Sequence, residues 1–413
     1  MGNALTRSAG PGLIMLCALT ACTAEDNSMP NLPAIAVLDV PAGRESTSPN
    51  LASGPDRSVV LSWIETDGPG SALRFSTLLG NEWGDPRTVS RGENWFVNWA
   101  DFPSVVPISE NLWAAHWLVS QPAGGYAYDV AVSLSTDSGQ SWSELITPHR
   151  DGTATEHGFV SIYPNDAGVG LVWLDGRNML NESDEDIVNS GMSLRAASLS
   201  ADMVLSDELL VDELICDCCQ TDVALSAEGP VAIYRDRSSN EIRDIYVSRF
   251  VGSRWQEGKP MGNDNWEISG CPVNGPAIEA TEKSVAAAWF TAADDEPRVR
   301  AAFSEDAARS FSTPIDIDIG DTIGRVGLAM LSDRQVAVSW VRKSAGESPE
   351  VCVRRVSSDG RLGPVRVISR SDNVSAYSVP QIVRSGNELV LAWTNRVSDS
   401  NRVMSARISI DSL

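Results

Sequence analysis

The chain has 413 residues, with 32 Lys and Arg against 55 Asp and Glu, a formal net charge of −23. That balance excludes nucleic acid as a partner, because no basic stripe exists to neutralise phosphates, and it argues equally against docking of the folded body on an anionic membrane surface. The length would suit two or three average domains, but repeat folds of this size run as one unit.

Taken in chain order, residues 1–21 carry Arg7, the apolar run LIMLCALTA and the small-residue close LTAC before Cys22. This resembles a bacterial lipoprotein signal. Cleavage before Cys22 and lipidation of its thiol would tether the chain in the bacterial cell envelope, facing the periplasm or the outside, where thiols oxidise. The lipid would be its only membrane contact, since no other apolar run approaches the ~20 residues needed to cross a bilayer. Residues 22–33, including TAEDNSMPNLP, read as a flexible polar tether. Residues 34–413 read as one domain, expected to be monomeric.

Within that domain one short apolar phrase recurs seven times: SVVLSWIE, LWAAHWLV, GLVWLDGR, VAIYRDRS, VAAAWFTA, VAVSWVRK and LVLAWTNR. Its aromatic anchors are Trp63, Trp117, Trp173, Tyr234, Trp289, Trp340 and Trp393, separated by 51 to 61 residues. A fixed period of this length marks a repeat architecture. Each phrase follows a short β-like run and precedes an alternating one, with a looser fourth segment completing most units. Four antiparallel strands in about fifty residues make a propeller blade. The predicted fold is therefore an all-β, seven-bladed β-propeller with almost no helix. The last unit stops after RVMSARISI without a fourth strand, and the run AIAVLDV, residues 34–40, is the spare strand that would close the last blade. Pairing the two open edges removes exposed ladder groups.

The stretch STDSGQSW, with Ser135, Asp137, Gly139 and Trp142, resembles the Asp box (BNR repeat) of sialidases, and SEDAARSF, residues 304–311, resembles a decayed copy. NWADFPS, CDCCQT, YRDRSSNEIRDIY and GCPVNGPA make most of the chain similar to bacterial sialidase-like propellers, a superfamily whose sialidase members have six blades. AYSVPQIV is similar to the sialidase segment that carries the tyrosine nucleophile, which falls on Tyr377. The resemblance implies an exo-α-sialidase-like glycoside hydrolase acting on an acidic carbohydrate or glycoconjugate. The Arg-Ile-Pro motif that supplies one arginine of the sialidase triad is absent.

In an antiparallel blade the start of the innermost strand and the end of the second lie on one face. That rule gathers Asp101, His157, Cys216, Cys218, Cys219, Cys271, Asn274, Arg325 and Tyr377 with Asp175, Arg177, Arg235, Asp236, Arg237 and Arg396 around one mouth of the central channel. On this reading Arg177, Arg235, Arg237 and Arg325, with His157 and Asn274, bind the substrate, the arginines through paired N–H donors to its carboxylate. Tyr377 attacks the anomeric carbon, Asp236 or Glu241 takes the phenolic proton, and Asp101 is the acid/base. A competing reading makes Asp175 with Arg177, and Asp236 with a neighbouring arginine, loop-tying ion pairs.

Cys216 and Cys219 have the spacing that binds one tetrahedral metal, and Cys218 or Cys271, with His157, would complete a zinc or copper shell. The competing reading, set by the compartment, is a disulfide from Cys271 to Cys216 or Cys219 stapling two blades. On the metal reading the chain is a non-catalytic metal- or ligand-binding module. Cys352 reads as buried packing, and His116 and His149 as surface residues.

Overall fold

The computed structural model describes residues 1–2, 35–166, 168–181, 191–344, 348–370, 378–397 and 400–413. The signal-like segment with Cys22, and Tyr377, lie outside the described residues. Ala34–Leu413 form one compact unit.

Seven antiparallel sheets follow one another along the chain, one for each repeated phrase. The innermost strands are Ser46–Ser53, Ser104–Pro107, His157–Asn165, Asp222–Ser226, Ala277–Thr281, Thr322–Ser332 and Gln381–Ser385. The phrases themselves form the second strands, from Val59–Asp67 in blade 1 to Glu388–Val397 in blade 7. Seven sheets settle the blade number against the six of sialidases. Helix among the described residues is limited to three short 3-10 turns. Blade 2 departs from the expected four strands: after Tyr128–Ser135, its fourth segment contributes only the bridge Val132 to Ile146.

The repeat exists because each anchor fills the gap to the blade before it. Trp63 packs with Val383 and Val390, Trp117 with Val60 and Phe75, Trp173 with Ala114 and Val130, and Tyr234 with Val172 and Leu194. Trp289, Trp340 and Trp393 continue the pattern around the ring. Large rings carry most of the apolar area that holds one blade to the next. A buried indole N–H also needs an acceptor, and the same device recurs. Trp63, Trp173 and Trp393 donate to Glu65, Asp175 and Asn395 two residues on, at 2.9, 3.0 and 2.8 Å.

Closure is by the chain's two ends. Ala36–Leu38 pairs antiparallel with Ser400–Ser409 as the outer strand of blade 7, Ala36 opposite Arg407 and Leu38 opposite Ser405. Leu38 and Val40 enter the core between blades 7 and 1.

The two similar hairpin stretches form the same turn. Ser135 Oγ and Ser304 Oγ donate to Asp137 and Asp306, and each carboxylate accepts two main-chain N–H groups and a serine hydroxyl, from Gln140 and Ser141 or from Arg309 and Ser310. At Gly139 φ is +74° and an added Cβ would lie 2.9 Å from the Phe75 ring, so this copy needs glycine. The other copy instead holds Ala307 and Ala308 at positive φ.

Candidate functional site

The innermost strands surround a channel of about 360 Å³. At its mouth the strands of blades 1, 3 and 6 carry a register shift, at Thr47/Asn50, Gly158/Ser161 and Gly324/Gly327. Each shift contains a non-glycine residue in the left-handed region: Ser48 at φ 54°, Phe159 at 52° and Arg325 at 59°. Bulges of this kind re-aim side chains, and the one in blade 6 sends Arg325 over the opening.

The loop ahead of blade 2 lies across that opening. Asn98 O accepts from Ser48 Oγ of blade 1 at 3.4 Å, and Ala100 O accepts from Gln220 Nε2, which precedes the blade 4 inner strand, at 2.5 Å. Between them the Trp99 indole lies 4.8 Å from the Arg325 guanidinium carbon. Arg325 is further fixed by its N–H to Asn274 Oδ1 (2.7 Å) and Nη1 to Pro272 O (3.2 Å), and burial lowers its pKa to about 10. Beside it is a cleft of about 150 Å³ lined by Thr47, Ser48, Trp99, Phe102, Ser378, Thr394, Arg396 and Asn401. Among the described residues neither Arg325 nor Arg396 has a carboxylate partner.

Asp101 stands behind this loop, buried, rather than at the surface where an acid/base must meet substrate. Its Oδ1 accepts from Phe159 N (2.8 Å), and its Oδ2 is 3.0 Å from Tyr128 Oη, which is also 2.6 Å from Glu156 Oε1. A phenol has one proton, so it donates to one carboxyl only. The other must itself be protonated and donate to the phenol. Burial, with Glu156 nearby, pushes Asp101 up to about 8, and burial pushes Glu156 up to about 7. Glu156 is the half-exposed member of the pair. Gly158 makes the arrangement possible, because a Cβ there would fall 1.9 Å from Asp101 Oδ2 and 2.8 Å from the Tyr128 ring. Gly158→Ala is expected to destabilise the fold by about 2–4 kcal/mol, read as a lowered urea midpoint; an unchanged midpoint would show that Asp101 moves aside freely.

His157 is a second correction. It is fully buried, stacked on His149 with ring centroids 3.7 Å apart, and is not available to substrate. Its Nε2 lies 3.2 Å from Asp151 and 3.8 Å from Asp175. His149 and His116 are buried, not on the surface. Burial, then the neighbouring His157 ring, lowers His149 to about 4. Two parallel imidazoles direct their lone pairs side by side, so a metal midway between them would lie far out of both ring planes. Arg177 closes the cluster, bidentate to Asp175 (2.7 and 2.7 Å) and 2.8 Å from Glu208. The ion-pair reading holds for this arginine.

The other expected substrate ligands are occupied as well. Arg235 is buried, with every nitrogen bonded to a main-chain carbonyl, of Asn274, Arg243 or Phe290, over the Trp266 ring. It clamps blades 4 and 5. Arg237 pairs with Glu241 (2.6 Å) and Asp217 (3.5 Å). Glu241 is shared with Arg243; burial raises its pKa, but the two arginine bonds outweigh this and hold it below the usual range. Asn274 is buried, bonding Arg325 N, Ile323 O and Pro272 O, and so joins blades 5 and 6. Asp236 is half-buried, and burial with Asp212 raises it to about 7. Of the four arginines expected to converge, only Arg325 reaches the mouth.

The cysteines do meet. Cys271 is bonded to Cys218, not to Cys216 or Cys219, stapling the approach to blade 5 onto that of blade 4. Cys216 and Cys219 remain as buried thiols, Sγ to Sγ 3.3 Å, with Cys216 Sγ 4.0 Å from Cys218 Sγ. Arg243 Nη1 donates to Cys216 (3.4 Å) and Asn274 N to Cys219 (3.4 Å). The Cys219 hydrogen bond, with Arg235 and Arg243, outweighs burial and lowers Cys216 to about 6. In this disulfide-bonded state a zinc or copper shell keeps Cys216 and Cys219 alone. Cys352 is buried packing.

No family model matches the chain, and no curated protein matches its sequence. Among solved structures, a protein of unknown function from Dyadobacter fermentans is 14% identical, with 92% of this chain and 100% of that chain covered and a TM-score of 0.51. The GH93 α-L-arabinofuranosidase of Fusarium graminearum, solved with arabinobiose, is 10% identical, with 92% and 99% covered and a TM-score of 0.50. A Hadza microbial sialidase is 14% identical, with 72% and 63% covered and a TM-score of 0.43. At these identities the first two likenesses establish a shared β-propeller fold.

Proposed function

We propose that the channel mouth binds an anionic sugar, and that Tyr377 gives the site exo-α-sialidase-like glycoside hydrolase chemistry. One observation carries the reading: Trp99 lies 4.8 Å from the Arg325 guanidinium carbon and lines a cleft together with Arg396, and neither arginine has a carboxylate partner among the described residues. A sugar ring stacks on an indole while its carboxylate takes paired guanidinium donors. Ser378, next in sequence to Tyr377, lines the same cleft. Glu156, half-exposed and raised to about 7, replaces Asp101 as the candidate acid/base. Export and anchoring through Cys22 belong to the same proposal, since such a site would meet glycans outside the cytoplasm.

The test is binding and release with purified protein. Trp99→Ala and Arg396→Ala are each expected to weaken binding of a sialylated oligosaccharide about tenfold or more, measured by calorimetry, with thermal stability little changed for the exposed Arg396. Tyr377→Phe is expected to abolish release from a fluorogenic sialoside. Binding lost in the first two variants with no release by the wild type would leave a lectin-like propeller. Absence of both would end the proposal.

A further inference from the structure

A staple between blades needs two cysteines, yet two more lie directly beneath this one. Cys271 is exposed and Cys218 half-buried, while Cys216 and Cys219 are buried, Cys216 Sγ 4.0 Å from Cys218 Sγ and 3.3 Å from Cys219 Sγ. Each buried sulfur accepts a hydrogen bond, Cys216 from a guanidinium and Cys219 from a main-chain N–H; the guanidinium holds Cys216 as a thiolate, whereas burial keeps Cys219 as the thiol that faces it at 3.3 Å. Arg243 touches the sulfur while its other nitrogens are fixed by Glu241, so the donor is held in place.

From this contact geometry we propose that Cys216, Cys218, Cys219 and Cys271 form a thiol–disulfide exchange centre that passes a disulfide between the surface and the interior. The Cys216 thiolate attacks Cys218 Sγ. The Cys216–Cys218 bond forms, the Cys218–Cys271 bond breaks, and the electron pair leaves on Cys271, which takes a proton from solvent. Cys219 then attacks Cys216 Sγ as its proton passes to the departing Cys218 sulfur, on which the electron pair leaves. The disulfide now joins Cys216 to Cys219, the protons lost by those two are regained by Cys218 and Cys271, and no electrons are gained or lost. The surface dithiol so produced reduces an external disulfide, giving up two electrons, reforming Cys218–Cys271 and releasing two thiols. The partner class is therefore a disulfide outside the protein, and the direction is reversible.

The experiment uses native, never-reduced protein treated with N-ethylmaleimide and mapped by mass spectrometry. The expected adducts are on Cys271 and Cys218, in molecules whose Cys216 and Cys219 are bonded to each other. Cys352, fully buried, reports unfolding and is expected to stay unlabelled over the same time. Cys216→Ser is expected to slow labelling of Cys271 at least tenfold. Bis(2-hydroxyethyl) disulfide added before the maleimide is expected to suppress labelling and release 2-mercaptoethanol. Labelling of Cys216 and Cys219 only, or of any of the four only at the rate of Cys352, overturns the proposal, and because this is read on the wild type it does not depend on the variant folding.

Discussion

Asp101→Asn is expected to make the protein more stable at pH 8, and to remove the largest single contribution to the pH dependence of stability between about pH 4 and 8. The carboxyl is raised from an ordinary value of 3.8 to about 8 by burial first. Between those values the folded chain keeps a proton that the unfolded chain has released, so folding takes up a proton and stability falls as pH rises. The loss is complete once the pH passes the folded value. Asparagine holds the same geometry without the ionisation: its oxygen accepts from Phe159 N, and its amide donates to Tyr128 Oη, which donates its single proton to Glu156. The gain at pH 8 is expected to be on the order of 3 kcal/mol, seen as a higher urea midpoint, and to vanish near pH 4. A remaining slope is expected from the other carboxyls that burial raises, Glu156, Asp236 and Glu279 to about 7 and Asp222 to about 6. Equal pH profiles for variant and wild type would mean that Asp101 is ionised in the folded protein, and the shared-proton account of Asp101, Tyr128 and Glu156 would fail.

The ring was legible in the sequence because its determinant is local and repeated. One large aromatic per unit fills one gap between blades, so period and anchor appear together in the chain, and the spare strand at residues 34–40 was visible as an edge without a partner. The face was legible too, since strand direction alone places Arg325, Arg396 and the cysteines at one end. What the sequence did not carry was which cation is already neutralised. Arg235 and Arg325 read alike as arginines at strand ends, yet one saturates three main-chain carbonyls and the other lies across Trp99. That difference depends on neighbours from other blades. Glu156 was open to the same rule that selected His157, its neighbour, but a half-exposed glutamate gives no pattern of its own. Trp99 was hidden for the opposite reason: a tryptophan in a loop reads as packing until the loop is seen to cross the channel. His149 and His157 lie in one stack because a loop of blade 2 folds back on the start of blade 3, a contact that spacing does not encode. The cysteine partner was missed because Cys216, Cys218 and Cys219 lie within four positions of one another, so adjacency of the blades brings Cys271 to the cluster without selecting its partner, and local backbone direction selects Cys218.

Closure gives the second large expectation. Deleting residues 1–40 is expected to cost about 4–6 kcal/mol, a large part of the 5–15 kcal/mol that stabilises an ordinary domain. Leu38 and Val40, each 5% exposed, lie in the core between blades 7 and 1, and full burial of such side chains contributes roughly 1.5–3 kcal/mol apiece. The strand also covers the Ser405–Arg407 edge, which would otherwise present unpaired ladder groups to a second molecule. The shortened protein should therefore unfold at a lower urea concentration and associate with itself, and a peptide spanning residues 34–42 should restore both properties. A pair of point changes separates closure from a mere tether. Val37 is 68% exposed beside Leu38 in the same strand, so Val37→Asp is expected to leave the midpoint within about 0.5 kcal/mol, whereas Leu38→Asp places a charge in the apolar core between the first and last blades and is expected to approach the effect of the deletion. If the two substitutions behave alike, the strand does not alternate between core and solvent as the paired register requires. The ring would then be held shut by blade 7 against blade 1 alone, through the Trp63, Val383 and Val390 contacts.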